Sequence, residues 1–362
     1  MKGRVLLYGA TGYTGREIAR RLSRADSPCN VVLAGRDPSA VRRLADDLNC
    51  DFRTFPLTDH RQIEGALRAV QAQAVLHAAG PFAETAQPMM DACLETGAHY
   101  LDLCGEWPVF QAAMARDAPA KAAGIMLAPG VGLTIAATDC LLKHAAGEWE
   151  KTVRLRLGVS RAQVISRGSV ATAARLAGPE ALIRREGVLV GVPSGSLTHA
   201  FDFGDGLREA TAVSWADVVT GEHSTGVRNI EVYSELGWPT RVGFRASGLA
   251  MSLVGARPWR KAGETLSALW PTSPSAQDRD EARFVMVAEA LDAWGRPKHL
   301  SLRALDGYTA SERLAVEAVR RVLKGPVEPG FQTPSSAFGS NFVIEAGAAE
   351  WLGRIPVVGR AA

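Results

Sequence analysis

A chain of 362 residues, 47% hydrophobic and 22% charged with a formal net charge of +3, has ordinary globular composition but is too long for one core, so two domains are expected. The charge excess is small and scattered, which argues against a nucleic-acid partner, and no run approaches the roughly eighteen apolar residues of a membrane span. Five cysteines, Cys29, Cys50, Cys93, Cys104 and Cys140, include no CxxC pair, so neither a disulfide framework nor a metal site is expected. With no signal-peptide pattern at the N-terminus, this set predicts a cytoplasmic protein.

The first fifteen residues carry the strongest signal. An apolar strand from Val5 to Tyr8 runs into Gly9, Ala10, Thr11, Gly12, Tyr13, Thr14 and Gly15, and a helix patterned by Ile18, Ala19 and Leu22 follows. Strand, glycine turn and helix N-terminus in this order form a seat for a dinucleotide pyrophosphate. Gly9 takes the tight turn, Gly12 lets the backbone approach the phosphates, and Gly15 lets helix and strand pack closely.

Further apolar strands are read at Val31 to Ala34, Phe52 to Phe55, Ala74 to Ala78, Tyr100 to Leu103 and Ile125 to Ala128, with helices between them. Alternation of buried strands and helices predicts a doubly wound parallel Rossmann sheet over residues 1–148. The second strand ends in Ala34, Gly35 and Arg36, where an NAD-binding domain carries Asp or Glu for the ribose hydroxyl. The guanidinium fork of Arg36 suits a 2′-phosphate and favours NADP(H), whereas in the alternative Asp37 holds the ribose. Asp59 is either an adenine contact or the cap of the next helix. Ala79, Gly80, Pro81 and Phe82 close the fourth strand and are assigned to the nicotinamide side.

A second cluster, Tyr100, Asp102, Cys104 and Glu106, stands at the carboxyl end of the fifth strand, where open α/β sheets bind ligands. Asp102 and Glu106 are candidate proton-relay or substrate-gripping groups, with a hydrogen-bonded strut as the equal alternative. Tyr308 is a third catalytic candidate, against a packed aromatic. No histidine shows ligand spacing, and none is assigned to catalysis.

From residue 149 to 306 the rhythm changes to longer strands: Thr152 to Ser160, Leu197 to Phe203, Ala210 to Val219, Ile230 to Leu236, Arg283 to Leu291 and His299 to Leu305. They predict an α+β domain on a mostly antiparallel sheet. Helices are expected at Gly168 to Ala177 and at Thr309 to Lys324, the latter with Thr309 as N-cap and Glu312 completing a capping box. Pro271 to Asp280 reads as a loop. Residues 307–362 are expected to pack back on the first domain.

The glycine string Gly9 to Gly15, Ala34 to Arg36, Ala79 to Phe82, Tyr100 to Glu106, Asp306 to Thr309 and the stretch Gly330 to Gly339 together resemble the saccharopine dehydrogenase-like oxidoreductases, most of all their bacterial trans-acting enoyl reductase branch. The resemblance implies an NADP-binding Rossmann domain and hydride transfer to a polarised double bond. That bond is the C=C of an enoyl thioester on a lipid or polyketide precursor, or, as in saccharopine reductases, the C=N of an amino-acid-derived imine. It also implies that the 102–106 segment lies beside the nicotinamide. A non-catalytic NADP-binding sensor is the third reading, and homodimerisation is left open.

Overall fold

The computed structural model describes residues 3–24, 27, 29–160, 178–236 and 284–353. Contacts divide the chain into two compact units, residues 1–136 with 308–348, and residues 137–307 with the tail from Ala349. The division therefore falls at 136 rather than at 148. The final segment is also split, because its last strand belongs to the second sheet.

The first unit is a Rossmann sheet of seven strands in the order β15-β6-β5-β4-β1-β2-β3. Its members are β1 (Gly3–Tyr8), β2 (Cys29–Gly35), β3 (Asp51–Thr54), β4 (Ala74–His77), β5 (His99–Asp102), β6 (Met126–Ala128) and β15 (Gly330–Phe331), and every pairing among them is parallel. The central runs Val5 to Tyr8 and Val31 to Gly35 are buried, as a sheet covered on both faces requires. Helices α1 (Tyr13–Leu22), α2 (Pro38–Leu48), α3 (His60–Val70), α4 (Phe82–Thr96), α5 (Trp107–Met114), α6 (Asp117–Ala123) and α7 (Leu133–Ala146) make the connections. Local chemistry sets their ends: Asp37 and Asp59 cap α2 and α3, and Asn49 and Gln71 stop them in the left-handed conformation.

In the second unit, nine strands form the other sheet, mixed but mostly antiparallel. Its main path is β10-β11-β12-β7-β13-β14-β16, made of β7 (Arg154–Val159), β10 (Thr198–Asp202), β11 (Leu207–Ala212), β12 (Ile230–Ser234), β13 (Phe284–Leu291), β14 (Pro297–Ala304) and β16 (Ala349–Gly353). The hairpin β8 (Glu180–Arg185) and β9 (Val188–Pro193) joins through β12. Period-two alternation sends Leu155, Leu157, Ala288 and Ala290 to one face and Arg156, Glu231 and Glu289 to the other.

The sheet is strongly curled. His199 on β10 lies 3.4 Å from Glu289 on β13 although β11, β12 and β7 intervene, and Phe201 of β10 covers Gly158 of β7, where a Cβ would meet the ring at 2.5 Å. Glu289 is the hub of this curl: it also accepts from Arg156 at 2.7 Å and pairs with His299 at 3.1 Å. Burial opposes its ionisation, yet hydrogen bonds from His199, His299 and Arg156 outweigh that and hold its carboxyl well below the usual range.

Several element expectations are corrected. The strand read over Ala210 to Val219 ends at Ala212, and α8 (Asp217–Thr225) follows. The helix expected from Thr309 begins at Gly307 as α9 (Gly307–Lys324), so Thr309 sits within the first turn and is not the N-cap. The β8–β9 hairpin escaped the sequence reading although its link, Glu186 and Gly187, has positive φ at both residues (49° and 81°) and the two-residue length of a tight hairpin. The expected helix over 168–177 and the loop over 271–280 lie outside the described residues. No helix among the described residues is long and apolar enough to cross a membrane.

Candidate nucleotide and substrate site

Gly9 adopts φ +88°, and a Cβ there would stand 2.8 Å from the backbone of Ala78 and Ala79, so the turn after β1 and the turn after β4 touch. A Cβ on Gly15 would overlap the Gly9 carbonyl, which is why α1 can start directly against the strand. At Gly12 a Cβ would stand 3.3 Å from the Gly9 carbonyl oxygen, a tight contact with backbone that itself favours glycine there. Gly12 is the N-cap of α1 with no side-chain capping bond, the first turn holds no acidic residue, and Arg20 and Arg21 stand in the last. That is a helix N-terminus kept open for an anion.

The end of β2 bears on two of the sequence alternatives. Asp37 accepts from the amides of Ser39 (2.9 Å) and Ala40 (3.1 Å) and from the Ser39 hydroxyl (2.8 Å), and these bonds, that from Ala40 foremost, lower its pKa. Its Oδ1 caps α2, and Oδ2 takes no part in these bonds. Arg36 is exposed and makes no hydrogen bond or ion pair among the described residues. Gly35 leaves room for the Val41 methyl, which a Cβ would meet at 2.9 Å. An unpaired guanidinium at this position suits a 2′-phosphate. Asp59 accepts from the amide of Gln62 (3.2 Å) and its side chain (2.8 Å), the capping arrangement of its two readings.

The turn Ala79, Gly80, Pro81 and Phe82 is clamped from two sides. The Thr85 hydroxyl lies 2.8 Å from the Ala79 carbonyl and 3.0 Å from that of Pro81, and His77 Nε2 lies 3.0 Å from the same hydroxyl. With the hydroxyl proton given to a carbonyl, His77 must donate, so its proton sits on Nε2. Burial lowers the His77 pKa to about 3 and keeps the ring neutral. On the other side Glu106, only 3% exposed, accepts from the amides of Phe82 (3.1 Å) and Ala83 (2.9 Å), capping α4 from a separate loop.

Asp102 is wholly buried and accepts from the Tyr100 hydroxyl (2.7 Å), the Cys104 amide (2.8 Å) and the Gly130 amide (2.7 Å). Burial raises its pKa to about 6 against the pull of those donors. Both carboxylates are engaged with the protein's own donors, the geometry of struts that fix the turns after β4, β5 and β6. Tyr308 is brought to the glycine loop instead, its ring edge-on to Tyr13 with centroids 5.0 Å apart. Nearby, the Leu133 amide donates to the Ser311 hydroxyl at 3.0 Å, which ties the start of α9 to the turn after β6. The described residues hold no group of three or more His, Cys, Asp or Glu able to bind a metal.

Residues 5–127 match the family model described as the saccharopine dehydrogenase NADP-binding domain. Within a similar stretch the chain is 36% identical over 106 residues to the trans-acting enoyl reductase of Mycobacterium leprae and 33% identical over 105 residues to that of Mycobacterium ulcerans, in each case 28% of this chain and 25% of the relative. The match thus spans about a quarter of the length of these curated relatives. In fold, the chain is similar to saccharopine dehydrogenase (L-Glu forming) from Saccharomyces cerevisiae, with a TM-score of 0.62 and 14% identity over 97% of this chain and 100% of that one. It is also similar to the homospermidine synthase of Legionella pneumophila, solved with NAD, with a TM-score of 0.65 and 10% identity over 100% of this chain and 94% of that one.

Proposed function

Because residues 5–127 form a saccharopine dehydrogenase-type NADP-binding domain, we propose that this protein is an NADPH-dependent oxidoreductase that reduces the C=C bond of an enoyl thioester borne on a lipid or polyketide precursor. One observation carries the cofactor half of the reading: an α1 N-terminus without a side-chain cap follows β1, and Arg36, at the end of the neighbouring β2, is unpaired among the described residues. The enoyl half is supported by the one-third identity to trans-acting enoyl reductases in this region.

Bound NADPH supplies the hydride. The chain's own residues do the seating: amides of the loop from Gly9 to Gly15 take the pyrophosphate, Arg36 takes the 2′-phosphate, and the clamped turn from Ala79 to Phe82 forms the wall of the nicotinamide half. Asp102, Glu106, His77 and Thr85 act on the reaction as positioning residues, through the turns they hold. Five free thiols suit a reducing compartment such as the cytoplasm.

The test has two stages. Arg36→Ala is expected to weaken NADPH by about 10- to 100-fold, the loss of one or two charge-assisted bonds, and to leave NADH unchanged. Equal losses for both coenzymes would overturn the phosphate assignment. NADPH consumption is then followed with crotonyl-pantetheine and, in parallel, with amine and keto-acid mixtures. Turnover of the thioester supports the reading, turnover of the imine replaces it with C=N reduction, and tight NADPH binding without turnover replaces it with a sensor.

A further inference from the structure

The stretch from Gly330 to Gly339 is the one sequence motif without a part in the nucleotide site. Its fold placement is unusual. Two residues, Gly330 and Phe331, leave the C-terminal segment to become the edge strand of the Rossmann sheet, parallel to β6 in the register Phe331↔Leu127. Two features fix that insertion. Gly330 takes φ +102° under Asp117 and Lys121, where a Cβ would meet an Asp117 oxygen at 2.5 Å, and Asp117 accepts from the Phe331 amide at 2.9 Å. Gln332, one residue on, donates its amide to the Leu127 carbonyl and so stands at the carboxyl edge, the edge at which open α/β sheets bind their ligands.

The hydrogen bonds behind Gln332 determine which way its side-chain amide faces. The Ser336 hydroxyl oxygen accepts from the Thr333 amide at 2.8 Å and from the Thr333 hydroxyl at 3.2 Å. Both lone pairs are then used, so its single proton must be donated, and the shortest acceptor is Gln332 Oε1 at 2.8 Å, with the Thr333 carbonyl farther off at 3.1 Å. A flipped amide would set an N–H of Gln332 against an oxygen with no lone pair to receive it. The carbonyl end of Gln332 is therefore pinned inward. The Nε2 end makes no hydrogen bond among the described residues, although the residue is only 7% exposed. Nε2 itself keeps contact with solvent, so this oriented donor is open to an acceptor that arrives from outside the protein.

We propose that Gln332 is a substrate-binding residue whose Nε2 donates a hydrogen bond to a carbonyl oxygen of the substrate. The inference rests on the reductase reading above and deepens it. β15 lies four strands from β1, roughly 19 Å across the sheet at about 4.8 Å per strand, past β4 and β5, over which the nicotinamide half would extend. A group there lies beyond the strands assigned to the cofactor and is left for the substrate. A neutral amide donor suits a thioester or amide carbonyl, and its fixed orientation spares the entropy of ordering it at binding. Ser336 and Thr333 are positioning residues for it.

Gln332→Glu tests this directly: it keeps an oxygen to accept from Ser336 and replaces the donor by a second acceptor, repelling a carbonyl. With crotonyl-pantetheine as the probe, KM is expected to rise about 100-fold in this variant and about 10-fold in Gln332→Ala, while the NADPH Kd, read by protein fluorescence, stays within twofold of wild type. Gln332→Ala keeps the assay informative if the glutamate variant does not fold. An unchanged KM in a wild type that turns the thioester over would overturn the inference and leave the reductase reading standing. So would a loss that appears only as a lowered melting temperature, the mark of a purely structural network. If wild type binds NADPH but reduces no thioester, the reductase reading falls, and calorimetry of crotonyl-pantetheine with the NADP+-loaded protein decides for Gln332. Binding that Gln332→Glu abolishes supports the assignment; equal or absent binding overturns it.

Discussion

The two units bury carboxylates in opposite ways. In the Rossmann unit, Glu106 receives only backbone amides and Asp102 two amides and a phenol, so each fixes a turn within its own sheet edge. In the second unit, Glu289 receives the side chains of Arg156, His199 and His299 and so links strands β7, β10 and β14. Backbone donors hold one local geometry and carry no net charge. Side-chain donors span distance, and the hub they make is an ion-pair network whose removal strands buried charge. The first arrangement serves placement of a ligand-binding edge; the second serves closure of a curled sheet.

That contrast is open to attack. The largest effect is expected for Glu289→Ala, which leaves Arg156 with Glu231 alone and both imidazoles without their carboxylate. A loss of about 3–5 kcal/mol is expected in denaturant titration, confined to the second unit, with NADPH affinity unchanged. A matching fall in cofactor affinity would show that the hub is not local. Because the Glu289 pKa is depressed, its contribution is complete above the ordinary carboxylate range and disappears only in strong acid.

Next is Glu106→Gln, whose amide can accept from one of the Phe82 and Ala83 amides but not both. About 1–3 kcal/mol of stability and a several-fold drop in turnover are expected, with NADPH affinity little changed. Full activity at wild-type stability would remove Glu106 from the positioning of this turn.

The sharpest effect concerns pH. Asp102 holds its proton in the folded state up to about 6 against 3.8 unfolded, so its contribution makes stability fall as pH rises through that window. His77 stays neutral down to about 3 against 6.5 unfolded, so its contribution makes stability fall as pH drops through an overlapping window. Between about pH 4 and 6 the two slopes cancel. Asp102→Asn can still accept both amides through its oxygen while removing one slope, and it should expose an acid sensitivity of about 1.4 kcal/mol per pH unit in melts from pH 6 to 4. A profile as flat as wild type would break the pairing.

Legibility in the sequence followed the range of the interactions. The glycine turn, α1 and the strands β1 to β6 were readable because each is set by neighbours within a few residues. The capping roles of Asp37 and Asp59 sit three residues or fewer from their partners; the sequence holds the cap as one of two readings for Asp59, whereas for Asp37 it offers only the ribose contact. The roles of Glu106 and Asp102 stay undecided in the sequence because the amides of Phe82, Ala83 and Gly130 that engage them lie 23 to 28 residues away. The strand β15 was missed since two residues carry no period, and α8 because its apolar residues continued the alternation of β11. Thr309 has the residue type of a cap, but the helix starts at Gly307.

The order of residues alone therefore determined that this protein has a dinucleotide-binding unit and a β-rich unit, since apolar periodicity and a glycine string act over one turn or one strand. Tertiary structure decided which polar groups are already spent and which remain open. Asp37, Asp102 and Glu106 found donors inside the protein, whereas Arg36 and the Nε2 of Gln332 found no acceptor among the described residues. Whether a buried polar atom is satisfied depends on partners that only the folded chain brings within 3 Å or so.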